Sequence, residues 1–195
     1  MSESSPPSPR GKPVTRRTVV LRRDALSDAE RAAASSVIAA KADAAIAERS
    51  AHVVALYAAK GTEVATAKLD SALRGRGVRV VYPRVVDGQR ELAFCAVPVE
   101  ALVLGTFGLR EPAAAVRAEP LDSIDVFVVP GVAFDRSGGR LGWGRGYYDA
   151  TLASARGARM GLAFECQLVD EVAHEAHDIP MNLIVTEVAT RVVAK

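Results

Sequence analysis

Short apolar runs separated by glycine, proline and polar turns divide the chain into an alternation of strand-like and helix-like segments. Residues 2–11, rich in Ser and Pro, bury too little apolar surface to offset their ordering entropy and are expected to form a disordered tail. The basic run KPVTRRTVVLRR that follows predicts a helix ending near Ala25. Ser27-Asp28-Ala29-Glu30 then carries a capping signature at the mouth of an alanine-rich run to about Arg49, which predicts a second and longer helix. Residues 52–57 (HVVALY) read as a buried strand, residues 63–74 carry helical periodicity ending at Gly75 and Gly77, and residues 78–82 (VRVVY) read as a strand stopped by Pro83. That order predicts a right-handed βαβ unit with a parallel strand pair.

Further along, residues 92–97 and 102–107 look like shorter, more exposed strands, and residues 108–120 a loop with two prolines. Residues 124–129 are apolar apart from Asp125 and predict a central strand buried on both faces. A glycine-rich stretch follows, then a helix over residues 147–155, a strand over 159–164, and a closing pair over 183–185 and 190–193. The alternation predicts a three-layer α/β sandwich: a mostly parallel central sheet with helices on both faces. Residues 12–195 are expected to form one such domain. In sheets of this kind ligands bind beyond the carboxyl ends of the strands, where the glycine-rich stretch must lie.

Composition narrows the function. Lys and Arg number 25 against 23 Asp and Glu, a net charge of +2, so no global field draws the molecule to nucleic acid or an anionic membrane. No window approaches the ~18 consecutive apolar residues of a membrane span, and no secretory signal is recognisable, so a cytoplasmic protein is expected. Cys95 and Cys166 lie far apart, each in an apolar context, and read as buried core thiols.

Candidate chemistry concentrates in residues 130–149, PGVAFDRSGGRLGWGRGYYD. A strand, a glycine-rich turn and a helix place backbone N–H groups at a helix N-terminus, which favours anions, and Arg140 and Arg145 add full positive charge. A phosphorylated ligand is the first expectation. Gly142-Trp143-Gly144-Arg145-Gly146 lacks the glycine spacing of a dinucleotide fingerprint, and no Gly-Lys-Ser/Thr of a Walker loop occurs.

The string Pro130-Gly131-Val132-Ala133-Phe134-Asp135, then Gly138-Gly139-Arg140-Leu141-Gly142-Trp143-Gly144-Arg145-Gly146-Tyr147-Tyr148-Asp149, resembles the signature of the 5-formyltetrahydrofolate cyclo-ligase (methenyltetrahydrofolate synthetase) family. Phe107-Gly108-Leu109-Arg110-Glu111-Pro112, Gln167, His177-Asp178 and Ile184-Val185-Thr186-Glu187 resemble further family elements in the family's order, so the likeness runs from about Lys12 to the C-terminus. It implies an enzyme that uses ATP and Mg2+ to activate the formyl oxygen of folinate and closes the ring to 5,10-methenyltetrahydrofolate. Polyglutamylated folinate is implied as a substrate too, and a monomer is expected. By position, the resemblance gives Lys12 and Arg16 to the ATP phosphates, although Pro13 and Thr15 depart from the family's usual residues. It gives Arg140, Leu141, Gly142, Trp143, Gly144, Arg145, Gly146, Tyr147 and Tyr148 to the nucleotide, with Arg140 and Arg145 as the catalytic charges. Asp149 and Asp178 fall to Mg2+, and Tyr57, Glu63, Trp143 and Tyr148 to the folate. Replacement of Arg140 or Arg145 is expected to weaken ATP use while leaving folding intact. Two other readings stay open: activation of a different formylated or carboxylated small molecule, and a nucleic-acid module built on residues 12–23.

Overall fold

The computed structural model describes residues 12–173, 175 and 178–193; the tail expected at residues 1–11, and His177, lie outside them. In chain order the helices are α1 (Lys12–Asp24), α2 (Asp28–Ala47), α3 (Ala67–Gly75) and α4 (Tyr147–Ser154). The strands are β1 (Val53–Ala55), β2 (Arg79–Val85), β3 (Leu92–Ala96), β4 (Val103–Leu104), β5 (Arg110–Glu111), β6 (Val126–Val129), β7 (Ala133–Phe134), β8 (Arg140–Leu141), β9 (Ala158–Leu162), β10 (Leu183–Val185) and β11 (Thr190–Val192). Among the described residues seven strands form one sheet, ordered β11-β10-β9-β6-β1-β2-β3. The five inner strands are parallel, and β3 and β11 close the two edges antiparallel. The expected α/β sandwich is the fold observed.

Alternation along the central strand explains the layers. Val126 and Val128 meet Ile38, Ala42 and Ile46 of α2 and Leu69 and Leu73 of α3 on one face, whereas Phe127 and Val129 meet Leu152 of α4 on the other. Each such aliphatic side chain contributes about 1.5–3 kcal/mol by leaving water. A third apolar cluster joins Val19 of α1 to Val132, Ala133 and Leu141, and so fastens α1 over the β7–β8 hairpin. Helix α2 starts where the sequence predicts, with Ser27 Oγ accepting from the Glu30 amide and the Glu30 carboxylate accepting from the Ser27 amide.

Several details differ from expectation: the strand expected over residues 102–107 is reduced to β4, with a 3-10 turn at Thr106–Gly108 after it, and the loop expected over 108–120 carries β5, which pairs with β4. Strand β2 runs through Pro83 to Val85, because the Leu56 amide bonds the Val81 carbonyl and the Val85 amide bonds Glu111, so this side of β2 faces away from β3. The missing proline N–H therefore points past the end of β1, where no ladder bond is lost. Helix α3 begins at Ala67, leaving Glu63 in the preceding turn. Cys95 is buried as expected, but Cys166 is only half-buried; both are free.

From β1 the chain proceeds outward to β2 and β3, and from β6 it proceeds the other way to β9, β10 and β11. The carboxyl ends of β1 and β6 therefore flank the topological switch point.

Candidate functional site

At that point the fold leaves a cavity of about 930 Å3. One wall is α1; the others are residues 57–63 after β1, the glycine-rich stretch after β6, the start of α4 and residues 107–111. Its lining carries Lys12, Arg16, Arg23, Lys60, Arg90, Arg110, Arg140 and Arg145 against Asp24, Glu63, Glu111, Asp149, Glu175 and Asp178, a surplus of positive charge that suits an anionic ligand.

The glycine-rich stretch is held by a buried aspartate. Asp135 accepts from the Ser137 and Gly139 amides and the Ser137 hydroxyl on one oxygen, and from the Val172 amide on the other. Burial alone would raise its pKa, but these bonds outweigh it and hold the carboxyl below the ordinary aspartate value. Gln167 donates to the carbonyls of Gly131 and Val132, tying the same loop to the chain after β9. Gly131 and Gly161 both lie against the Phe134 ring, closer than a Cβ would allow.

Arg140 leaves this hairpin and reaches the start of α4. Its guanidinium pairs with Asp149 at 2.7 Å, lies 5.8 Å from the Tyr148 ring, and its side chain is 5% exposed. Its Nε is buried without a hydrogen-bond partner among the described residues. Leu141 is buried in the cluster beneath α1 and anchors the hairpin. Gly144 and Gly146 have φ of 85° and 73°, left-handed values that turn the chain into α4, with Gly146 as its N-cap. Tyr147, Tyr148 and Asp149 of the first turn of α4 line the cavity. Arg145 is exposed and stacks 3.5 Å from the centre of the Phe107 ring, which in turn lies 6.2 Å from that of Tyr147. On the opposite wall, Arg16 donates to the Gly142 carbonyl at 3.0 Å. Lys12 contacts Glu175 at 2.8 Å and Asp178 at 3.0 Å. Partial burial would lower the Lys12 pKa, yet these two carboxylates hold it above the usual lysine value.

At the other end of the cavity Tyr57 is buried and donates its hydroxyl to the Val64 carbonyl. Burial pushes both the Tyr57 and Tyr148 phenols well up, so neither ionises near neutrality. Glu63 is half-buried; burial raises its pKa, against the opposing effects of the Lys60 amide, the Arg23 charge and a bond from the Trp143 indole. Trp143 is 55% exposed, and the bond from its indole to Glu63 links the glycine-rich loop to the loop after β1. Asp149 and Asp178 sit on one wall, with the amide of Ile179 facing Asp149 Oδ1 at 3.5 Å. Among the described residues no group of three His, Cys, Asp or Glu side chains is spaced to hold a metal ion. Asp149 and Asp178, the carboxylates expected to meet Mg2+, each pair with a cation, Arg140 and Lys12 respectively.

Every candidate residue named from the sequence lines this one cavity. Sequence reasoning missed Arg23, buried at the Glu63 end, and Phe107 under Arg145. The seven-residue spacing of Arg16 and Arg23, two helical turns, was the available signal for the first. Phe107 has φ 61° and ψ 19°, a left-handed conformation that no sequence pattern announces.

A doubly wound α/β fold with a basic, glycine-lined cavity at its switch point defines a protein that binds an anionic small molecule. The chain matches the 5-formyltetrahydrofolate cyclo-ligase family over residues 9–187, and it belongs to that family as an enzyme. It is 35% identical over 147 residues to the 5-formyltetrahydrofolate cyclo-ligase of Mycolicibacterium smegmatis, covering 70% of this chain and 74% of the relative. With the Escherichia coli K12 cyclo-ligase it shares 36% identity over 142 residues, covering 70% and 78%. The fold is similar to the NMR structure of Aquifex aeolicus 5,10-methenyltetrahydrofolate synthetase, at a TM-score of 0.82 and 30% identity over 94% of this chain and 93% of that one. Among the described residues no helix is long and apolar enough to cross a membrane.

Proposed function

We propose that the protein cyclises 5-formyltetrahydrofolate to 5,10-methenyltetrahydrofolate, consuming ATP and releasing ADP and phosphate. The observation that carries this reading is that one cavity is lined both by cations suited to phosphate and by a carboxylate with aromatic faces suited to a pterin: Lys12, Arg16, Arg140, Arg145 and the first turn of α4 share it with Glu63, Tyr57 and Trp143. A formyl oxygen is a poor leaving group; ATP supplies the γ-phosphoryl group that turns it into one, and N10 of the folate then displaces phosphate as the ring closes. What the chain contributes is position and charge. Arg145, Arg16 and Lys12 would neutralise the phosphate oxygens, while Gly142, Gly144 and Gly146 let the backbone approach them. Arg140, fixed by Asp149 beneath the loop, would hold a permanent positive charge near the transferring group. Mg2+ would be held by Asp149 and Asp178 together with phosphates, and would offset further charge there. The Glu63 carboxylate matches the guanidine-like edge of a pterin, and Tyr148 and Trp143 offer faces to the ring.

The reading brings with it a reducing, cytoplasmic setting, supported by the two free cysteines, and a monomeric enzyme. Residues 12–23 as a nucleic-acid arm lose support, since Lys12, Arg16 and Arg23 line the cavity. Glu63→Gln tests the folate assignment: the apparent KM for folinate should rise about ten- to hundredfold, the worth of a charge-assisted pair, with that for ATP unchanged. A defect confined to ATP would refute it.

A further inference from the structure

Arg23 is the buried charge that the scheme above leaves unused. Its residue is 4% exposed, in the last turn of α1, and lines the folate end of the cavity. Taking a guanidinium out of water costs several kcal/mol unless it is well paired, and this one is not built as a structural ion pair. Its Nε has no hydrogen-bond partner among the described residues, and Asp24 Oδ1, at 3.8 Å, instead accepts from the Thr62 hydroxyl at 2.5 Å. That last bond pins the end of α1 to the loop carrying Glu63. The guanidinium carbon lies 5.9 Å from the Trp143 ring centre, and Trp143 in turn donates to Glu63.

We propose that Arg23 is a positioning residue for the folate side of the cavity, holding the Glu63 carboxylate and the Trp143 indole in register to receive the pterin. This rests on the assignment of Glu63 to the folate. The groups facing Glu63 are Arg23 and Asp24 of α1, Tyr57 and Lys60 of its own loop, Trp143 of the glycine-rich loop and Tyr148 of α4. Of these, Arg23 and Lys60 bring positive charge, and Arg23 acts from a buried site where screening is weak. Burial works against the charged form of Glu63, and the Arg23 charge is one of the forces that opposes it. Without that charge the carboxyl takes up a proton at higher pH and loses its grip on the guanidine-like edge.

The test is steady-state kinetics of R23Q, R23K, E63Q and the doubles R23Q/E63Q and R23K/E63Q across pH 6–9, with each substrate varied in turn. R23Q should raise the apparent KM for folinate about tenfold and move the acid limb of kcat/KM for folinate to higher pH, with the KM for ATP within about twofold of the parent. R23K, which keeps the charge, should restore the acid limb. Because Arg23 acts through Glu63, each double should be no worse than E63Q alone. Should R23Q fail to fold, R23K, R23K/E63Q and the charge-free R23Q/E63Q carry the same comparison. Multiplying effects in the doubles, or an R23Q acid limb unmoved from the parent's, would overturn the role of Arg23. An E63Q enzyme with a parental folinate KM would overturn the folate assignment, and this inference with it.

Discussion

At the scale of single residues the two arginines proposed to act on the phosphates are not equivalent. Arg140 is buried and holds Asp149, so Arg140→Ala leaves a carboxylate without its partner as well as removing a charge from the phosphate end. The expectation that folding survives untouched therefore changes for Arg140. We expect a loss of about 2–3 kcal/mol, less than the ~3–5 kcal/mol of a fully buried pair because Asp149 keeps some solvent access. At this chain length that is roughly 5–10 °C in thermal midpoint, measurable by calorimetry or circular dichroism. Arg145 is exposed, and its contact with Phe107 is worth about 0.5–1 kcal/mol, so Arg145→Ala should raise the apparent KM for ATP and depress kcat with little loss of stability. Equal destabilisation by both changes would contradict this division. Asp135 gives a pH signature. Its folded pKa is depressed, so the stability it contributes is present above the unfolded value near ~3.9 and is lost as pH falls towards the folded one. Asp135→Asn turns an amide towards a donor, either the Val172 N–H or those of Ser137 and Gly139, and should cost about 2–3 kcal/mol at pH 7. The gap between variant and parent should narrow towards pH 3; a gap constant with pH would show that Asp135 is not a paired carboxylate.

Among elements, α1 and the β7–β8 hairpin do most to assemble the site. Helix α1 spans the whole cavity, with Lys12 at Asp178, Arg16 at the Gly142 carbonyl and Arg23 at the folate end, while Val19 on the same helix packs on the hairpin. The hairpin turn is clamped to the start of β10. Gly138 has φ 89°, its carbonyl accepts from the Met181 amide, and a Cβ there would lie 2.6 Å from the Met181 carbonyl oxygen. Gly138→Ala should therefore cost at least about 1–3 kcal/mol for the left-handed backbone alone, with added loss from the clash. An unchanged melting temperature would refute the clamp. Much at this scale was legible in local signals: the Ser27–Glu30 cap set the start of α2, and the apolar run around Asp125 gave β6. The start of α3 was not, since Glu63 continues the helical period while its side chain is drawn to the Lys60 amide and Trp143 instead. Pro83 was misjudged for a related reason: whether a proline breaks a strand depends on which neighbour its nitrogen faces, and the pattern of one segment does not carry that information.

For the whole molecule, the strand order decides where chemistry can occur, because the reversal between β1 and β6 opens the sheet where the glycine-rich stretch emerges. The alternation in the sequence implied that sheet, and the motif of residues 130–149 located one wall of the cavity. Phe107 was illegible, and Arg23 carried only its helical spacing from Arg16, because each gains its meaning from a neighbour far away in the chain: Arg23 from Glu63 and Trp143, Phe107 from Arg145. In the proposed reaction each folate cyclised consumes one ATP, so nucleotide and folate must be consumed together. The most direct measurement is to incubate the purified protein with folinate and MgATP and follow the methenyl chromophore and ADP in one reaction. We predict chromophore and ADP in equal amounts, with neither formed when folinate or ATP is omitted. Folded protein that yields no chromophore, or releases ADP without it, would contradict the account.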